Sequence, residues 1–124
     1  NAAGVDDLER NAGGEALNAY MSARAGQPNP VGLLGAMYII EGTGQRIIPH
    51  LLPRLRQCPG VPDDAMRFLH YHGENDLVHL ERWLAALELI LASSPDASAA
   101  DDIVQTARDT AELYLMQLAN SVPA

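Results

Sequence analysis

The chain has 124 residues, 48 % of them hydrophobic but only 5 % aromatic, and a formal net charge of −8. That length and apolar content suit one small domain with a core, and the excess of Ala and Leu over β-branched residues favours helices. Eight Lys and Arg scattered among 16 Asp and Glu exclude the basic stripe that a nucleic-acid backbone or an anionic membrane surface requires.

In chain order, Val5 to Arg10 reads as the end of one helix, interrupted by Gly13-Gly14. Glu15 to Ala25 reads as an amphipathic segment with Leu17, Tyr20 and Met21 on one side. Gly26-Gln27-Pro28-Asn29-Pro30 is a break in which Gly stops one helix, Asn29 can cap the next and Pro30 fits a first helical position. Val31 to Arg56 is then a long helical stretch. Gly42, Gly44, Pro49 and Pro53 disturb it, so a bend or break is expected between Gly42 and Pro49. Cys58-Pro59-Gly60-Val61-Pro62 is a turn, and Asp63 or Asp64 is expected to cap a helix running to about Ala92. Ser93 to Asp96 closes that helix. A last helix, roughly Ala99 to Ala119, places Asp101 and Asp102 in its first turn and Ile103, Val104, Ala107, Ala111, Leu115 and Leu118 at helical spacing. The pattern is all-α.

Cys58 is the single cysteine, which rules out an internal disulfide and a cysteine-based zinc site. The longest apolar run, Val31 to Ile40, is too short to span a bilayer, and with no charged run followed by an apolar stretch at the start, no signal peptide is expected. A reducing, cytoplasmic setting is the expectation.

The chemistry concentrates in His70-Tyr71-His72-Gly73-Glu74-Asn75-Asp76-Leu77-Val78-His79. Offsets of four and seven put His72, Asp76 and His79 on one helix face, and two imidazoles with a carboxylate suit iron, manganese or zinc. The plainer alternative is a solvated face in an acidic protein, with His79 paired to a carboxylate. His70 is turned away from the stripe, and Glu74 and Glu81 lie on other sides of the helix towards solvent, with Arg82 and Trp83 beside them. Glu41 follows Tyr38-Ile39-Ile40 in an otherwise apolar helix, where an unpartnered carboxylate is costly unless a cation meets it. Alternatively it marks where the helix leaves the core. Gly42 and Gly44 could let a neighbouring helix or a ligand approach the backbone. His50 suits a supporting or surface role better than coordination.

His72-x3-Asp76-x2-His79, with Trp83 after it and Glu41 in the preceding helix, resembles the haem-oxygenase-like di-iron oxidases. These are iron-containing redox enzymes, among them the chlamydial death-domain-associated protein. Gly35 to Gly42 is similar to a Leu-Tyr-x3-Glu-Gly region of that superfamily, so the resemblance covers about Leu33 to Leu84. It implies an all-α helical bundle of the haem-oxygenase-like, TenA-like type. The bundle would hold two iron ions, or iron with manganese, and activate O2 on a small organic substrate. It implies Glu41, His72, Asp76 and His79 as ligands, with Tyr38 and His50 supporting them.

The family pattern also has a Glu and a His six residues apart on an earlier helix, and nothing before Glu41 supplies that pair. The expectation is therefore that residues 1–124 are the C-terminal part of one such domain, incomplete in this chain. The remaining ligands would come from an N-terminal half or another chain, with a homodimer as one arrangement. Two other readings stand beside it. One is a non-catalytic helical interaction domain with a vestigial metal site. The other is a relative of haem oxygenase, which needs a proximal His on the first helix. A thiaminase-like hydrolase fits less well, because Cys58 lies in a Pro-Gly turn.

Overall fold

The structure, a computed structural model, describes residues 9–93 and 97–121, with Asp76 described by its backbone alone. Among the described residues it is all-α. The elements are α1 (Ala12–Ala25), α2 (Leu33–Leu55), a 3-10 turn (Asp63–Met66), α3 (Arg67–Ser93) and α4 (Ser98–Asn120). No helix among the described residues is long and apolar enough to cross a membrane. The chain forms two compact units, one of residues 1–36 with 102–124 and one of residues 37–101.

In the first unit, Gly13 and Gly14 do not interrupt a helix; they form the first turn of α1. Asn11 caps it, its Oδ1 accepting from the Gly14 N–H at 2.8 Å. The glycines serve close packing: a Cβ on Gly13 would fall on the backbone of Gln117 in α4. The Asn11 side-chain amide donates to the Gln117 carbonyl (3.1 Å), and Asn120 Oδ1 accepts from the Gly13 N–H (3.1 Å). Of the expected Val5–Arg10 helix end, Glu9 and Arg10 are not helical, and Val5 to Leu8 lie outside the described residues.

Gly26 ends α1 as expected. α2 begins at Leu33, two residues later than the sequence suggests, after three tight i→i+3 bonds. These run from Leu33 N–H to Pro30 O, Leu34 N–H to Val31 O and Gly35 N–H to Gly32 O.

The buried stripe of α4 is narrower than its apolar pattern. Ile103, Thr106 and Thr110 are buried, whereas Val104, Leu115 and Leu118 are exposed. Threonine can replace an aliphatic residue here because its hydroxyl can turn back on its own helix, as Thr106 does to the Asp102 carbonyl at 2.7 Å. Beside it Arg24 pairs with Asp102 and donates to Thr106 Oγ1, and the Asp102 carboxylate holds the guanidinium above its usual pKa. Tyr20 donates to Asp109 Oδ2 at 2.8 Å; partial burial and that carboxylate raise the phenol's pKa.

In the second unit, α2 runs unbroken through the stretch where a break is expected, including Pro49 and Pro53. Each proline removes one N–H, but packing holds the helix on course. Ile48 is buried, and a Cβ on Gly73 of α3 would lie 3.0 Å from Ile48 Cγ2. Gly42, by contrast, faces open space, with nothing within 4 Å of where a Cβ would stand. Gly60, with φ +85°, shapes the turn that follows α2. Asp63 and Asp64 do not cap through their side chains. They lie in the first turn of the 3-10 helix behind Pro62, where their charge still favours the helix start.

Candidate metal centre

Within the second unit α2 and α3 meet in antiparallel register, because positions rising along α2 match positions falling along α3. Tyr38 stacks on Trp83 (ring centroids 4.8 Å apart, planes tilted by 34°), Glu41 meets His79, and Ile48 meets Gly73. Further along, Arg56 Nη2 lies 3.0 Å from His70 Nε2. Tyr38, Glu41 and Ile48 share one stripe of α2, whereas the facing positions of α3 turn from the Trp83–His79 side towards Gly73 along the helix.

The central contact is between Glu41 Oε2 and His79 Nδ1, 3.2 Å apart. The side chains are 26 % and 31 % exposed, so the pair is partly withdrawn from water but reachable. A protonated Nδ1 donates to the carboxylate there, which fixes the ring's orientation and leaves the lone pair on Nε2 in the neutral tautomer. An apolar helix can thus carry Glu41 inward, because a partner on α3 meets the carboxylate.

His72 lies two helical turns before His79 and is half-buried. Its ring packs on Phe68 (centroids 4.3 Å) and edge-on to Tyr71 (5.5 Å). Asp76 stands between the two histidines on the helix; its side chain lies outside the described residues. Among the described residues no three His, Cys, Asp or Glu side chains gather closely enough to hold a metal ion. The structure thus brings Glu41 and His79 together and leaves His72 in an aromatic setting along the same helix.

The supporting residues divide. Tyr38 sits one turn before Glu41 and, through Trp83, flanks the pair on the side away from Asp76. His50 is exposed. Trp83 is half-buried against Tyr38, not set out in solvent beside Arg82. Its position four residues after His79 continues the ligand stripe by one turn, a signal present in the sequence. Glu74, Glu81 and Arg82 are exposed, as their helix positions suggest, and His70 turns to Arg56.

No curated protein and no solved structure matches this chain. The family model described as iron-containing redox enzyme matches residues 1–115, which takes in α1, α2, α3 and most of α4. With an all-α fold and that match over nearly its whole length, the chain belongs to the haem-oxygenase-like family of iron-containing redox enzymes.

Proposed function

We propose that this chain contributes to a non-haem di-iron centre, or one of iron with manganese, that oxidises a small organic substrate with O2. The observation that carries the reading is the carboxylate–imidazole contact of Glu41 and His79 across α2 and α3. Two donors bound at adjacent positions of one octahedral ion stand about 3 Å apart, given metal–ligand bonds of about 2.1 Å. The 3.2 Å separation of Oε2 and Nδ1 fits that edge once an ion displaces the Nδ1 proton, and the oxygen and nitrogen donors suit iron.

In this reading Glu41, His72, Asp76 and His79 are the ligands from this chain. The metal, when bound, supplies the redox equivalents and the open positions for O2. The protein's part is to hold the donors at fixed separation and limit water. Tyr38 and Trp83 do this by closing one side of the Glu41–His79 pair with stacked rings. Further donors, a Glu and a His on another helix, would come from an additional segment or another chain.

The test is the metal content of protein purified without chelator, measured alongside His72→Ala, Asp76→Ala and His79→Ala. Iron near stoichiometric in the parent and strongly reduced in the variants supports the assignment. Iron unchanged in all three refutes it. Glu41→Gln adds a distinction, since an amide can still accept from His79 but is a poor ligand. Retained metal in that variant makes Glu41 an orienting group for His79, not a ligand.

The vestigial-site reading has its own support, because the Glu41–His79 contact already satisfies both side chains without an ion. Melting temperature with and without chelator separates the two, because a native-state ligand adds stability by mass action.

A further inference from the structure

A cleft of about 680 Å³ opens where α2 gives way to α3, lined among the described residues by Arg56, Asp63, Asp64, Arg67 and His70. That volume lies within the range of about 300–1,000 Å³ usual for small-molecule sites. Arg56 follows the last turn of α2, its N–H held by the Leu52 carbonyl at 3.1 Å. Gly60, at φ +85°, turns the chain, and the 3-10 helix then carries Asp63 and Asp64, anchored by Met66, which is 1 % exposed. Arg67 and His70 follow in the first turn of α3.

The charges of this cleft are complementary yet unpaired. Among the described residues neither arginine forms a salt bridge, although two carboxylates line the same space and Asp63 stands only four residues before Arg67. Arg56 instead sets Nη2 3.0 Å from His70 Nε2. A guanidinium can only donate, so the ring nitrogen accepts, and the contact holds the Arg56 head beside the cleft.

We propose that this cleft is a ligand site for a small zwitterion of the amino-acid class. Arg56 and Arg67 take its carboxylate, and Asp63 and Asp64 take its ammonium. The planar guanidinium suits a carboxylate because its N–H groups can pair with both oxygens at once. Two guanidiniums with two carboxylates leave the cleft without net charge. A ligand of one sign therefore gains from one pair and is repelled by the other, whereas a zwitterion gains from both. His70 precedes His79 by nine residues, about 13 Å along α3, so the site is distinct from the Glu41–His79 contact and does not rest on the proposed metal.

The test is an NMR titration of the full chain, without added metal, against four probes. Two are zwitterionic isomers, L-norleucine and 6-aminohexanoate; two carry a single charge, hexanoate and hexylammonium. At least one zwitterion should shift the His70 ring and the Arg56 and Arg67 side-chain N–H signals. It should bind about tenfold or more tighter than either singly charged probe, as expected for a few exposed charge pairs. Arg56→Gln with Arg67→Gln should weaken it by about tenfold. Asp63→Asn with Asp64→Asn should also weaken the zwitterion but tighten hexanoate, a pair of opposite changes that a damaged fold would not give. Circular dichroism checks that both variants stay helical.

Silence of these signals with both zwitterions up to about 50 mM overturns the proposal. So does hexanoate or hexylammonium binding as tightly as the zwitterions, the latter marking non-specific attraction to an acidic protein. Zwitterion binding that both double substitutions leave unchanged places the ligand elsewhere and equally overturns it.

Discussion

Gly35 and Gly42 lie seven residues apart on α2, and the same substitution should move stability in opposite directions at the two sites. Glycine inside a helix costs about 1 kcal/mol relative to alanine, so Gly→Ala is favourable wherever a methyl group has room. At Gly42 nothing stands within 4 Å of the new Cβ, and Gly42→Ala should stabilise by about 0.5–1 kcal/mol. At Gly35 the new Cβ would overlap the carbonyl oxygen of Ile103 and crowd the Ala107 amide on α4. Both obstacles are main-chain atoms of a helix, with no rotamer to yield.

Relief at Gly35 requires α2 and α4 to separate there, which uncovers Ala36 and Ile103, two of the few buried apolar residues among those described. Overpacking of that kind costs about 1–3 kcal/mol or more, exceeding the propensity gain, and Gly35→Ala should destabilise by about 2 kcal/mol. For a chain of this size that is a fall of roughly 6–10 °C in melting temperature, against a rise of a few degrees for Gly42→Ala. Urea and thermal unfolding followed by circular dichroism measure both. If Gly35→Ala raised stability alongside Gly42→Ala, the close crossing of α2 and α4 would be refuted.

Other perturbations follow from the same contacts. Asp102→Ala should cost about 1–3 kcal/mol in urea unfolding, since it strands a partly buried Arg24 guanidinium; Arg24→Ala should cost similarly, and the double variant less than the sum. Tyr20 has a raised pKa, so the folded state holds its phenolic proton more tightly than the unfolded chain. Its contribution to stability is complete below pH 10 and is lost as pH rises through the raised value. Tyrosinate absorbance should show one late-titrating tyrosine that Tyr20→Phe removes. His79→Ala should lower metal-free stability by no more than about 1 kcal/mol, because the Glu41–His79 pair is partly solvated. Anaerobic Fe(II) should quench the emission of Trp83, the single tryptophan, and His79→Ala should abolish the quenching.

Most of the fold is legible in the sequence because helix ends are written in local chemistry. Gly26 stops α1, Pro62 and the two aspartates open the way into α3, and α4 falls within a residue of its expected span. What local pattern misreads are residues whose role is tertiary. Gly13-Gly14 looks like a breaker, yet it lies inside a helix because α4 needs the space. Pro49 looks like a kink, yet Ile48 packed at Gly73 carries α2 through it. Thr106 and Thr110 look like surface positions and are the most buried side chains of α4. At the candidate site, the inward direction of Glu41 follows from its place in an apolar helix. Its choice of His79 follows only from the register of two helices, which no single-helix pattern encodes.

That register also limits what α2 can offer a metal. From Glu41–His79 to Ile48–Gly73 the two helices advance together by about 10 Å, at 1.5 Å per residue. The α2 residues level with Asp76 and His72 therefore fall between Gln45 and Pro49, and none is a carboxylate or a histidine. Glu41 is the one acidic side chain that α2 can place against the α3 stripe, at its His79 end. An ion held near His72 would have to draw its remaining donors from some other element. Two ions sharing this stripe would then be unequal, one near Glu41 and His79 and the other more dependent on outside ligands. Metal titration should resolve two affinities, with His79→Ala removing the tighter site and His72→Ala the weaker. A single affinity affected alike by both substitutions would mean that the stripe does not divide as the register requires.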